Sequence, residues 1–292
     1  MFIIIKKKYF FISILIMIVF VVTVGIFGTH TEVSRNLMNL EENDLKLRLP
    51  VVMYHSVLAS RTSEYIVSPE QLEGDLKYIR ECGYTTISIQ DMVEFVFNNK
   101  ELPKKSIVLT FDDGYYNNLY YAQPLLEQYN MHGVIFVVGE YSEVDTERGD
   151  INPNYSYLTW DQISEMSNAG VFEIQNHTYH MHNNNGKRAG AGRVPGESME
   201  DYEEALMADI TQLNSKIEDL TGMRPIAFAY PFGKMSKGSM KILKAAGLKI
   251  SFTSNRGISE LERGCEDSLF GIKRILRSGK DESKKFFEKI LY

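Results

Sequence analysis

Short, mostly apolar runs alternate with amphipathic stretches along most of the chain, beginning at Pro50. Runs over residues 51–53, 85–87, 107–111, 134–138, 171–174, 226–229, 248–252 and 271–275 are too short for helices and predict buried strands. Between them, helical periodicity predicts helices over 70–82, 90–98, 117–129, 160–169, 197–220 and 237–246. Ser68 followed by Pro69 reads as an N-cap with proline at the first helical position. Gly83, Gly133, Gly170, Gly222 and Gly247 stand where left-handed C-terminal stops are expected. This alternation of strand and helix implies an α/β fold on a parallel sheet, open or closed as a barrel. Residues 183–196, with four glycines, form the clearest long loop.

The N-terminus departs from this pattern. Lys6, Lys7 and Lys8 precede an almost unbroken apolar run over residues 9–28. About 20 such residues match the hydrocarbon thickness of a bilayer, and the lysines assign the start of the chain to the cytoplasmic side. Residues 1–28 are therefore expected to be a membrane anchor, a cleaved signal peptide being the competing reading. Residues 29–49 are polar and read as a linker, which leaves 50–292 as one extracytoplasmic domain.

Composition narrows the functional classes. A net charge of -6 argues against nucleic acid as a partner, because binding its phosphates relies on clustered Lys and Arg. Cys82 and Cys265 occur in no metal or redox spacing, so the fold is not expected to depend on them.

In a parallel α/β barrel, chemistry gathers at the C-terminal ends of the strands. Asp112 and Asp113 follow the 107–111 strand, His177, His180 and His182 follow 171–174, Tyr230 follows 226–229, and His55 follows 51–53. An acidic residue with two imidazoles makes a hydrolytic metal site, and of two adjacent carboxylates one can bind the ion while the other serves as base. Taken singly, Asp112-Asp113-Gly114 is also an ordinary turn capping a helix, and the histidines also suit an exposed loop. Their shared rim favours the chemical reading.

Thr110-Phe111-Asp112-Asp113-Gly114 resembles the first signature of the polysaccharide deacetylases, the carbohydrate esterases with a NodB-like domain. The segment from Pro50 to His55 resembles the opening strand of the subgroup acting on poly-N-acetylglucosamine. His177-Thr178 through His182 and Phe228-Ala229-Tyr230-Pro231-Phe232-Gly233 resemble two further signatures. The resemblance implies a distorted (β/α) barrel and a metal-dependent hydrolase that removes N-acetyl groups from an N-acetylglucosamine-containing polysaccharide, an exopolysaccharide or peptidoglycan. By position, Asp113, His177 and His182 would bind a divalent metal, usually zinc. Asp112 would be the general base, and the Tyr115 N–H would help hold the oxyanion.

Two departures shape the assignment. Many relatives space the two histidines four apart, which here would select Met181, a poor zinc ligand; the subgroup's spacing of five selects His182. Where many relatives carry a late histidine that protonates the leaving amine, this chain has Arg274, and arginine is a poor general acid. His55 becomes the substitute, and Arg274 is left to orient Asp112 through a bidentate contact. Tyr230 and Phe232 are assigned to a sugar-contacting wall, with core packing as their alternative. His180 is expected to be exposed. Competing functional classes are a degenerate glycan-binding module, an O-acetyl esterase and another metal-dependent amidase on the same fold.

Overall fold

A computed structural model describes residues 45–184 and 186–291. The expected anchor over 1–28 and most of the 29–49 linker lie outside the described residues. Among the described residues no helix is long and apolar enough to cross a membrane. The linker boundary needs correction: Lys46–Leu49 is a strand and Leu49 is fully buried, so folded structure starts ahead of Pro50. Leu47 and Leu49 alternating with Lys46 and Arg48 is the two-residue period that marks it.

Eight strands form the main sheet: β1 (Val51–Tyr54), β2 (Thr85–Thr86), β3 (Ser106–Phe111), β4 (Gly133–Val137), β5 (Phe172–Asn176), β6 (Ala227–Ala229), β7 (Ile250–Arg256) and β8 (Ile272–Leu276). They run β1-β8-β7-β6-β5-β4-β3, and β3 pairs back to β1, closing a ring of seven strands. Every pairing in the ring is parallel. The β2 strand pairs with the N-terminal end of β3 without entering the ring. The closed alternative of the sequence reading is therefore realised, with seven strands in the barrel. All residues of β1, β3 and β4 are buried, as covering both faces of a parallel sheet requires, which explains their continuous apolar runs.

The helices are α1 (Pro69–Glu81), α2 (Ile89–Asn98), α3 (Gln123–Tyr129), α4 (Gly139–Arg148), α5 (Trp160–Ala169), α6 (Met199–Thr221), α7 (Ser239–Ala245) and α8 (Ser283–Phe287). Ser68 and Gln71 form a capping box at the head of α1, with Pro69 in its first turn. The helix expected over 117–129 is split: a π-helical turn, Asn118–Ala122, precedes α3. Gly170 and Gly222 are left-handed C-caps, but Gly133 is not a stop. Asn130 adopts the left-handed conformation after α3, while Gly133 opens β4, where a Cβ would lie 2.4 Å from the Phe172 ring. The α4 helix has no counterpart in the sequence reading. Its buried residues are Gly139, Ser142 and Asp145, so it carries no apolar stripe to betray its period.

Candidate metal centre at the barrel rim

Because the ring is closed and parallel, residues that follow different strands emerge at one rim. Asp112 and Asp113 leave β3 through a turn in which Asp113 and Gly114 both have φ of 72°. At Gly114 any Cβ would press on Val137, so glycine suits the turn for space as well as conformation. Asp113 carries that conformation as a non-glycine residue, a strain commonly found at functional sites.

After β5, Thr178 turns left-handed at φ 80°, and its N–H donates to Asn176 Oδ1 at 2.8 Å. Asn176 is itself anchored to α6 through Asn214 Oδ1, 2.8 Å away. Asp209 of α6 then accepts the N–H groups of Tyr179 and His180 at 2.8 and 2.7 Å. The loop bearing the histidines is thereby tied to a helix more than twenty residues downstream.

One ligand atom each from Asp113, His177 and His182 lies within 4.8 Å of the other two. His177 Nε2 is 3.5 Å and His182 Nε2 3.1 Å from Asp113 Oδ1. His177 Nδ1 lies 2.7 Å from the Ala229 carbonyl, which can only accept, so that nitrogen carries its hydrogen and Nε2 faces Asp113 with a lone pair available. His182 Nδ1 is 3.1 Å from the Tyr141 hydroxyl. Two imidazoles and a carboxylate converging on one point suit a divalent transition ion with a position left open for substrate.

Asp112 sits beside this group, its Oδ2 4.0 Å from His177 Nε2. Arg274 grips both its oxygens, Nη1 to Oδ1 at 2.6 Å and Nη2 to Oδ2 at 2.7 Å, while Nε donates to the Thr253 carbonyl. Arg274 is only 1% exposed. Burial works against the Asp112 charge, and the guanidinium overcomes it, keeping the pKa below its ordinary value. His55 lines the same cleft; the Asn118 side chain donates to its carbonyl at 2.9 Å, and among the described residues no hydrogen-bond partner reaches its buried Nδ1. Burial lowers its pKa despite the two aspartates, so the imidazole is neutral near pH 7.

Tyr115 forms a bridge with Tyr157. The bonds of that bridge run from Leu158 N–H to the Gly114 carbonyl and from Tyr116 N–H to the Ser156 carbonyl, so the Tyr115 N–H is not spent on it. Tyr230 departs from the expected wall: it is 1% exposed, its hydroxyl is 2.9 Å from Ser239 Oγ, and its ring packs against Phe228. It belongs to the lining of the smaller cleft, but from the core side, with almost no exposed face to set against a sugar ring. Of the two, Phe232 is the one that presents an open ring: it is 42% exposed, turned outward by a φ of 56°, with its ring 4.7 Å from His182. His180 is exposed beside Glu140. Two clefts meet at the centre, one of about 850 Å³ lined by Tyr141, Tyr155 and Tyr157, the other of about 590 Å³ lined by His55, Tyr65 and Arg274. Sequence reasoning missed Tyr141, Asn176 and Asp209; of these only Asn176, at the end of a strand, had a signal that could have marked it.

A family model described as polysaccharide deacetylase matches residues 99–251, just over half of the chain. A poly-beta-1,6-N-acetyl-D-glucosamine N-deacetylase of Escherichia coli K12 is 24% identical over 260 residues, covering 82% of this chain and 38% of the relative. One from Staphylococcus aureus MRSA252 is 24% identical over 207 residues, covering 69% and 65%. The chain thus spans well under half the length of the first of these. Among solved structures, IcaB from Ammonifex degensii superposes with a TM-score of 0.67 at 25% identity, covering 80% of this chain and 93% of that one. A de-N-acetylase from Aggregatibacter actinomycetemcomitans does so with 0.69 at 25%, covering 82% and 99%. With its seven-stranded barrel, its paired aspartates and its two rim histidines, the chain belongs to the polysaccharide deacetylase family.

Proposed function

We propose that this protein hydrolyses the N-acetyl groups of an N-acetylglucosamine-containing polysaccharide, outside the cytoplasm, with zinc held by Asp113, His177 and His182. The observation that carries the reading is the convergence of those three side chains beside a second, ionised aspartate clamped by Arg274. The names of the Escherichia coli and Staphylococcus aureus relatives support the choice of polymer. Lys6 to Lys8 and the apolar run after them support attachment to the membrane with the barrel on the far side.

A divalent ion in this site would polarise the acetamide carbonyl and make water acidic enough to attack near neutral pH. Asp112 accepts the proton of the attacking water, because its carboxylate stays ionised and the Arg274 fork leaves lone pairs on both oxygens. The Tyr115 N–H donates to the oxyanion that develops on the carbonyl oxygen, a contribution on the order of 3 kcal/mol. The leaving amine needs the proton that Asp112 has taken from water; His55, neutral at the outset in the same cleft, accepts it and passes it to the amine nitrogen, returning to its neutral form, whereas Arg274 has none to release. Phe232 supplies an apolar face for the sugar ring. Acetate and a free amine leave.

Acetate release is measured on poly-N-acetylglucosamine, chitin oligomers, peptidoglycan and an O-acetylated glycan, with metal-depleted and zinc-restored protein. Release from the first, dependent on zinc, is expected. Release only from the O-acetylated glycan makes the protein an esterase, and binding without release makes it a glycan-binding module.

A further inference from the structure

The two histidines of the centre are held by different devices. His177 has a main-chain carbonyl behind it, fixed by the barrel itself. Behind His182 stands a side chain, Tyr141, from the helix that the sequence pattern does not reveal. The Tyr141 hydroxyl lies 3.1 Å from His182 Nδ1 and also 3.1 Å from the His182 carbonyl oxygen. A phenol has one hydrogen and a carbonyl can only accept, so when the hydroxyl donates to the carbonyl its lone pair must receive the Nδ1 hydrogen. That arrangement leaves Nε2 without a hydrogen, facing Asp113.

The hydroxyl is held in place by its surroundings. The Tyr141 ring packs on Tyr157 with centroids 4.4 Å apart, and Tyr157 stacks in turn on Tyr115 at 4.8 Å. Asp145, one helical turn beyond Tyr141 on α4, accepts the Tyr157 N–H at 2.6 Å. The stack therefore joins a metal ligand at one end to the oxyanion donor's residue at the other.

We propose that Tyr141 is a positioning residue, which selects the nitrogen that His182 presents to the cation and holds its ring at the angle of binding. This rests on the metal-centre reading above. An outer partner of a ligating histidine raises metal affinity by about 10- to 100-fold, since without it the ring samples the wrong tautomer and the wrong orientation.

The test is zinc affinity, measured by competition with a chromogenic chelator, in wild type, Tyr141→Phe, Tyr157→Phe and His182→Ala. Tyr141→Phe removes one oxygen and leaves the ring to stack. Its affinity is expected to fall by about 10- to 100-fold, with a single cooperative urea transition in chelator showing that the fold is kept, while Tyr157→Phe binds as wild type does. Wild-type affinity in Tyr141→Phe, or equal losses in both phenylalanine variants, overturns the proposal. His182→Ala separates the two levels: wild-type affinity in that variant removes the metal-centre reading itself, whereas loss there with none in Tyr141→Phe removes only the role of the hydroxyl.

Discussion

Replacing Glu173 by glutamine should make the protein more stable above neutral pH and leave it unaltered near pH 4.5. Glu173 lies on β5, away from the cation site, and its Oε1 accepts the Ile89 N–H at 2.9 Å, at the head of α2. Burial raises its pKa from 4.5 to about 7, with repulsion from Asp91 adding to the rise and the Ile89 N–H opposing it. Between those two values the folded protein keeps a proton that the unfolded chain has released. Stability therefore falls as pH climbs from 4.5 through 7, and levels off above. A shift of that size corresponds to a loss of up to about 3 kcal/mol by pH 8. Glutamine retains an oxygen for Ile89 but has no charge to desolvate, so its curve should lack this slope. The assay is urea unfolding followed by the fluorescence of the single tryptophan, Trp160, from pH 4.5 to 8.5 at fixed ionic strength. Chelator is present throughout, because metal binding brings its own pH dependence. Asp75 and Asp209, which burial also shifts upward, contribute equally to both proteins and cancel in the difference. Parallel curves for the two proteins across the range would refute the argument.

Asp113→Asn should lose both zinc and acetate release, whereas Asp112→Asn should retain zinc by elemental analysis with turnover lowered by about 10²-fold or more. Full turnover in Asp112→Asn would remove the assigned base. Arg274→Met leaves a buried carboxylate without its partner and should cost about 3–5 kcal/mol in chelator-treated protein, read by urea unfolding. A cost near zero would mean that water reaches Asp112. Phe232→Ala should raise KM for the polymer with unchanged stability, while Tyr230→Phe should leave KM alone and cost about 1 kcal/mol for its hydrogen bond to Ser239. The reverse outcome would return Tyr230 to the sugar-contacting wall.

Much of this protein is legible in one dimension because its barrel is parallel. Strands covered on both faces read as unbroken apolar runs, and the reactive residues of such a fold come next in the chain, as Asp112, Asp113, His177 and His55 do. What only the tertiary structure decided are relations between segments remote in sequence. The sheet closes at seven strands because β3 pairs with β1, a register that no local pattern encodes. Tyr230 and Phe232, two residues apart, part company because a left-handed turn swings one ring outward while the barrel wall takes the other. Tyr141 reaches His182 from a helix whose buried side is small and polar, so it has no apolar period to be read. Local patterns report which side chains must leave water; which partners they then meet is settled only when distant parts of the chain pack together.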